Sequence, residues 1–151
     1  MKQFIEKYIG NRADWALLCI RLAVGVIFVA HGIQKLNMGM EGVGNFFGAV
    51  GIPFAAMFAW IVTALEIMGG LALIVGFEVR FGALLLSIVM AVAIIAVKLK
   101  GGLVGKGGSG FELELTLLAA NLSLFFQGAG RFSWDQKRSQ NIVPPIPKVL
   151  S

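Results

Sequence analysis

Residues 54–77 read FAAMFAWIVTALEIMGGLALIVGF, with Glu66 as the one ionisable side chain. A helix rises about 1.5 Å per residue. This stretch is therefore long enough to cross the ~30 Å hydrocarbon core of a bilayer. Three further segments share its character. Residues 15–36 are interrupted by Arg21 and His31, and residues 81–97 carry no charge at all. Residues 111–127 are the shortest and most polar, with Glu112, Glu114 and Asn121. The chain is 58% hydrophobic and 14% charged, whereas soluble domains are about 45–50% apolar and about 25% charged. A water-soluble fold of this size cannot hide so much apolar surface, so lipid is the expected solvent for much of it.

The expected architecture is all-α: an integral membrane bundle of four transmembrane helices. Between the first two spans lies GVGNFFGAVGI, residues 42–52, too short to cross. Val43, Phe46, Phe47 and Val50 recur at helical spacing, which predicts a short interfacial or re-entrant helix. Pro53 suits the first turn of the helix that follows. The leader before the first span is mixed in charge, Arg21 breaks the apolar run, and no small-residue cleavage site follows. The segment is therefore read as a mature helix and not a signal peptide. Residues 1–135 form the expected membrane domain. Residues 136–151 are polar and then proline-rich, a tail expected to be mobile or to lie against the membrane surface.

The net charge is +5, and the basic residues sit at the edges of the apolar runs. That is the pattern of membrane topology and not of nucleic-acid binding. Lys2, Lys7, Arg12, Arg80, Arg131, Lys137, Arg138 and Lys148 fall on one side of the four spans. Lys35, Lys98, Lys100 and Lys106 fall on the other. Eight against four favours both termini on the cytoplasmic side of the membrane. Cys19, the only cysteine, is expected to be a small buried hydrophobe. One histidine and one cysteine exclude a multi-histidine or thiolate metal site. Gly105-x-Gly107-x-x-Gly110 matches a dinucleotide fingerprint formally, but it lacks the strand that such a site needs, so it is read as a glycine-rich loop.

Helices in lipid associate through small residues and shared polar groups. Ala83, Ser87 and Ala91 mark a seam on the third span, and Gly69 and Gly70 mark one on the second. At about 100° per residue, Gly25, Phe28, Gly32 and Lys35 all fall within about 40° of Arg21. That stripe should face the interior. An ionisable group at membrane depth must pair or line a cavity. Arg21 lies about 9 Å from its end of the core and Glu66 about 16 Å from the same end, a gap that the arginine side chain can span. An Arg21–Glu66 ion pair is therefore expected, with Asn121 at a similar level on the fourth helix and able to join it. Such a pair can fix helix packing or serve a ligand. His31, Gln34 and Lys35 close the first helix, and Glu112 opens the fourth on the same side. His31 is either a hydrogen-bonding residue near a helix end or a proton exchanger.

These segments resemble the DoxX family of small bacterial membrane proteins. The resemblance rests on RLAVGVIFVAHGIQKL, LEIMGGLALIVGFEVRFGALLL and GFELELTLLAANLSLFFQGAGRFSWD, three patterns in order over residues 21–135. It carries over Arg21, His31, Gly32, Lys35, Glu66, Gly70, Arg80, Glu112, Gly128, Gly130 and Asp135 as family-pattern positions. It implies a four-helix membrane protein, with relatives that look like subunits of thiosulfate:quinone oxidoreductase, quinone-linked redox proteins and partners in oxidative-stress complexes. A distant eukaryotic relative resembles a cargo receptor. On that footing a quinone-like molecule would sit inside the bundle. Arg21, His31, Lys35 and Glu66 are the candidate catalytic residues that orient its carbonyls and move protons. Arg21, Glu66, Glu112 and Asn121 are the candidate groups that bind it. Any electron-carrying group would belong to the quinone or to a partner subunit, and a homo-oligomer is an open option. The competing readings are a small-solute transporter or channel, and a scaffold without chemistry of its own.

Overall fold

The computed structural model describes residues 2–105 and 110–142. Six α-helices follow one another: α1 (Lys2–Met38), α2 (Met40–Ala49), α3 (Ala55–Val75), α4 (Val79–Ala93), α5 (Glu112–Gln127) and α6 (Trp134–Ile142). There is no strand among the described residues. Among the described residues, three helical stretches are long and apolar enough to cross a membrane: Ala13–Met38, Ala55–Val75 and Val79–Gly101. The last extends α4 through a wide π-helical turn, Ile94–Lys98, and a tight 3-10 turn, Leu99–Gly101. Twenty-one residues in α3 correspond to about 32 Å, a full hydrocarbon thickness.

The outside of these helices is as apolar as the inside. Met68, Phe81 and Ile95 are each more than 60% exposed, and Trp60 is nearly so. Such a surface is stable only against lipid or another apolar partner. Inside, α1 packs mainly on α3, α3 on α4, and α4 on α5. Val24, Phe28, Leu73, Leu86 and Leu124 form the shared core. The short helix expected between the first two spans is present as α2. It lays Val43, Gly44 and Phe47 on α3 near Ala56 and Ala59, while Phe46 points outward.

Backbone contact sets the α1–α3 distance. A methyl group on Gly25 would stand 2.7 Å from the Gly70 carbonyl oxygen, and one on Gly70 would stand 2.7 Å from that of Gly25. The stripe of Arg21, Gly25, Phe28 and Gly32 faces this seam, as its spacing predicts, with Lys35 at its half-buried end. Ala83 and Ser87 are buried on α4 in the same way. Cys19 differs from expectation. It is exposed on α1, a small apolar group on the outer surface of the helix and not in the core.

The chain after α5 returns to the start of the first membrane-crossing stretch: the Arg131 amide donates to Asp14 at 3.1 Å. The N-terminal end of that stretch and the segment after α5 therefore share one end of the molecule. The first part of the tail, expected to be mobile or to lie against the membrane surface, is helical as far as residue 142. Ser133 accepts from the Gln136 amide at 3.2 Å and caps α6, which continues to Ile142. Residues 143–151, and with them the proline-rich stretch, lie outside the described residues. So do residues 106–109 of the glycine-rich loop.

Candidate polar sites in the membrane domain

Two separate polar centres occupy the α1–α3 seam where one ion pair was expected. Arg21 and Glu66 do not meet. Arg21 is 1% exposed and donates only to backbone carbonyls: Nε to Leu73 at 2.6 Å, one terminal nitrogen to Ala129 at 2.5 Å, and the other to Phe132 at 2.9 Å and Ile74 at 3.4 Å. Leu73 lies seven residues beyond Glu66, about 10.5 Å along α3. The arginine side chain is long enough to reach toward Glu66, but carbonyl acceptors lie nearer. The last carbonyls of a helix have no intrahelical partner, and the turn after α5 adds two more. A planar fork of donors suits several carbonyls at once.

This end is closed by a clasp. Gly76 ends α3 with φ +80, its amide returning to the Ala72 carbonyl at 2.8 Å. A Cβ on Gly76 would stand 2.8 Å from Ser133 and 3.0 Å from the Arg21 guanidinium carbon, so a larger residue is excluded twice over. Asp135 accepts from the amides of Glu78 at 2.8 Å and Val79 at 3.1 Å, capping the first turn of α4. The family-pattern positions Arg21 and Asp135 thus tie the C-terminal segment to α1, α3 and α4. Asp135 was expected only as a family-pattern position, and its capping of α4 is new. The Ser133-x-x-Gln136 spacing, which resembles a capping box, was the available signal for the helix beside it.

The second centre is an ion pair between Lys35 Nζ and Glu66 Oε2. Side chains on a helix lean toward its N-terminus. Lys35 on α1 and Glu66 on the antiparallel α3 therefore lean toward each other. The Glu66 side chain is 4% exposed and the Lys35 side chain 21%. The carboxylate lies near the middle of α3, while the lysine reaches inward from near the end of α1. Thr63, one turn before Glu66, is buried and donates to the Ala59 carbonyl at 2.7 Å. His31 sits one turn before Lys35 on the exposed side, with Nδ1 2.9 Å from the Ile27 carbonyl. A carbonyl can only accept, so Nδ1 carries the proton and, in the neutral ring, Nε2 is the acceptor.

The remaining candidates stand apart from both centres. Asn121 is fully buried on α5, as expected of an inward polar group, but neither end of its amide has a partner, so it joins neither Arg21 nor Glu66. Glu114, two turns earlier on the same face, lies 3.9 Å from Lys98. Glu112 is exposed at the start of α5 and folds over Gly110. The four groups expected around one ligand are therefore spread over separate parts of the molecule. No three metal-ligating side chains come together among the described residues.

The sequence pattern of the DoxX family matches residues 16–99, which hold the α1–α3 seam, Arg21 and the Lys35–Glu66 pair, while the turn after α5 that Arg21 also grips lies beyond them. The chain belongs to the DoxX family. This DoxX protein is 34% identical to "Putative oxidoreductase CatD" of Bacillus subtilis, over 78% of this chain and 83% of that one. It is 33% identical to an uncharacterized membrane protein of Mycobacterium tuberculosis, over 83% of this chain and 82% of that one. It is 27% identical to inner membrane protein YphA of Escherichia coli, over 80% of this chain and 89% of that one. No solved structure matches the DoxX chain significantly.

Proposed function

We propose that this DoxX protein is a four-span inner-membrane subunit of a quinone-linked oxidoreductase or oxidative-stress complex, and that Lys35 and Glu66 form its ligand-binding centre. The observation that carries the reading is their ion pair, set in an apolar seam, with a buried carboxylate and a partly accessible ammonium. The oxidoreductase name of the Bacillus relative supports the reaction class.

α5 supports a fourth crossing. It starts beside Gly102, whose carbonyl accepts from the Phe111 amide at 3.2 Å, and the turn that follows it reaches Asp14 at the opposite end. Four crossings put both termini on one side. The exposed Arg80, Arg131, Lys137 and Arg138 at that end favour the cytoplasm.

The donor set fits a quinone-like ligand: an ammonium donates to a carbonyl oxygen, and an adjacent carboxylate takes up or releases a proton. When bound, a quinone would accept two electrons and two protons, the protons going to its two carbonyl oxygens, on an apolar ring that partitions into lipid. Lys35 would orient a ring carbonyl. Glu66 Oε2 would hold the proton that Lys35 gives up or regains. His31 Nε2, outward and one turn away, would exchange protons at the rim. Arg21, with its donors committed to carbonyls, is left out of this chemistry and holds the clasp. Asn121 and Glu112 are left out because each stands apart from the pair. The chain offers no cysteine cluster or flavin fingerprint, so electrons are assigned to a partner protein.

The test is extraction of the full chain from native membranes in a lipid-preserving polymer, with quinone per chain measured by chromatography. Wild type should retain quinone. Glu66→Gln and Lys35→Met should retain at least about tenfold less, the loss of one charge-assisted contact. Equal retention in all three, or none in wild type, would refute the reading.

A further inference from the structure

A second feature, independent of the Lys35–Glu66 pair, lies at the end that carries the clasp. A cavity of 480 Å³ opens there, lined among others by Asp14, Glu78, Arg80, Gln127, Arg131 and Asp135. That volume falls within the ~300–1,000 Å³ range of small-molecule sites. Its wall holds three carboxylates and two guanidiniums, and one of these charged groups is unpartnered among the described residues. Asp135 is committed to two α4 amides. Asp14 accepts from the Arg131 amide and lies 4.0 Å from its guanidinium. Glu78 lies 3.7 Å from Arg138. Arg80 alone among these groups has no hydrogen bond or ion pair among the described residues. Its guanidinium rests on the bare backbone of Gly128, where φ is +84 and a Cβ would stand 3.2 Å from Arg80 Nε. A side chain at this position would crowd the guanidinium.

We infer that this cavity binds a singly charged phosphodiester, with Arg80 as its principal ligand and Arg131 at its rim. A guanidinium fork matches phosphate oxygens. The three carboxylates in the wall disfavour a dianion, so a diester is preferred over a phosphate monoester. The depth suits a lipid headgroup. Trp15 and Trp134, both more than half exposed, stand at the same end, where aromatic residues mark the membrane–water interface. The shared chemistry is the phosphodiester, whether it belongs to an anionic lipid or to a soluble metabolite.

The full chain in nanodiscs of phosphatidylcholine doped equally with phosphatidylglycerol and phosphatidic acid tests this, with retained lipid read by native mass spectrometry. Wild type should keep phosphatidylglycerol in preference to phosphatidylcholine and to phosphatidic acid. Arg80→Gln should bind it about ten- to hundredfold more weakly, the value of a charged hydrogen bond. Arg80→Lys should fall between. Displacement by soluble glycerophosphoglycerol would assign the site to the free diester, and retention against it would assign the site to the lipid. Wild-type protein with no preference for phosphatidylglycerol and no binding of the soluble diester overturns the inference without any variant. So does a folded Arg80→Gln that binds as wild type does.

Discussion

Arg21→Lys separates the two polar centres most sharply. Arginine links two walls: Leu73 and Ile74 at the end of α3, and Ala129 and Phe132 in the turn after α5. Three of these bonds are short and one, at 3.4 Å to Ile74, is weak. A lysine keeps the charge but places its donors on one nitrogen, which can serve only one wall. One or two good charged bonds are lost, at about 1.5–3 kcal/mol each, and the carbonyls left behind remain buried. The expected destabilisation is about 2–4 kcal/mol. It should appear as a lower thermal midpoint in detergent and as faster proteolysis after α5. Quinone retention, assigned to Lys35 and Glu66, should survive in the protein that remains folded. An Arg21→Lys protein with unchanged stability but no quinone would refute this reasoning, because Arg21 would then belong with Glu66 after all.

Three further outcomes follow from the same geometry. Removing one member of the Lys35–Glu66 pair by Lys35→Met or Glu66→Met should destabilise by about 3–5 kcal/mol, whereas the double Met variant should recover most of that loss in a double-mutant cycle. Gly70→Ala should destabilise by about 1–3 kcal/mol, because its methyl group meets the Gly25 carbonyl oxygen at 2.7 Å and a Val29 methyl at 2.9 Å; an unchanged unfolding midpoint would mean that α1 and α3 are not in backbone contact. Asn121→Leu should be neutral or stabilising by about 1 kcal/mol, since a buried amide without partners is replaced by an apolar group of similar size; a clear loss of stability would reveal a partner for that amide.

The sequence made the helices legible because lipid imposes a simple rule: long apolar runs must satisfy their backbone internally. It also revealed the inward face of α1, since glycines at helical spacing leave room for a neighbouring backbone. Partner choice was harder. Arg21, Lys35 and Glu66 all lie on the seam, and depth arithmetic along straight helices cannot choose between them. The choice was made by features that apolar periodicity does not report: the lean of side chains toward helix N-termini, the bare carbonyls at the end of α3, and a turn that Gly128 and Gly130 fold with positive φ. Cys19 shows the same limit, because an apolar run in lipid looks alike on its bundle-facing and lipid-facing sides. Asn121 was correctly placed inside and wrongly given company. Glu112 lay on the expected side but outside the core, since a carboxylate in the first turn of a helix is favoured there without any ligand.

The decisive question is where a quinone would meet this protein. Photoaffinity labelling of native membranes with an azidoquinone, followed by peptide mass spectrometry, measures that directly. The label should fall on α1 near His31 to Lys35 and on α3 near Thr63 to Ile67, and unlabelled quinone should compete it away. Competable label confined to α4 and α5 around Asn121, or no competable label at all, would contradict the assignment of Lys35 and Glu66 as the binding centre.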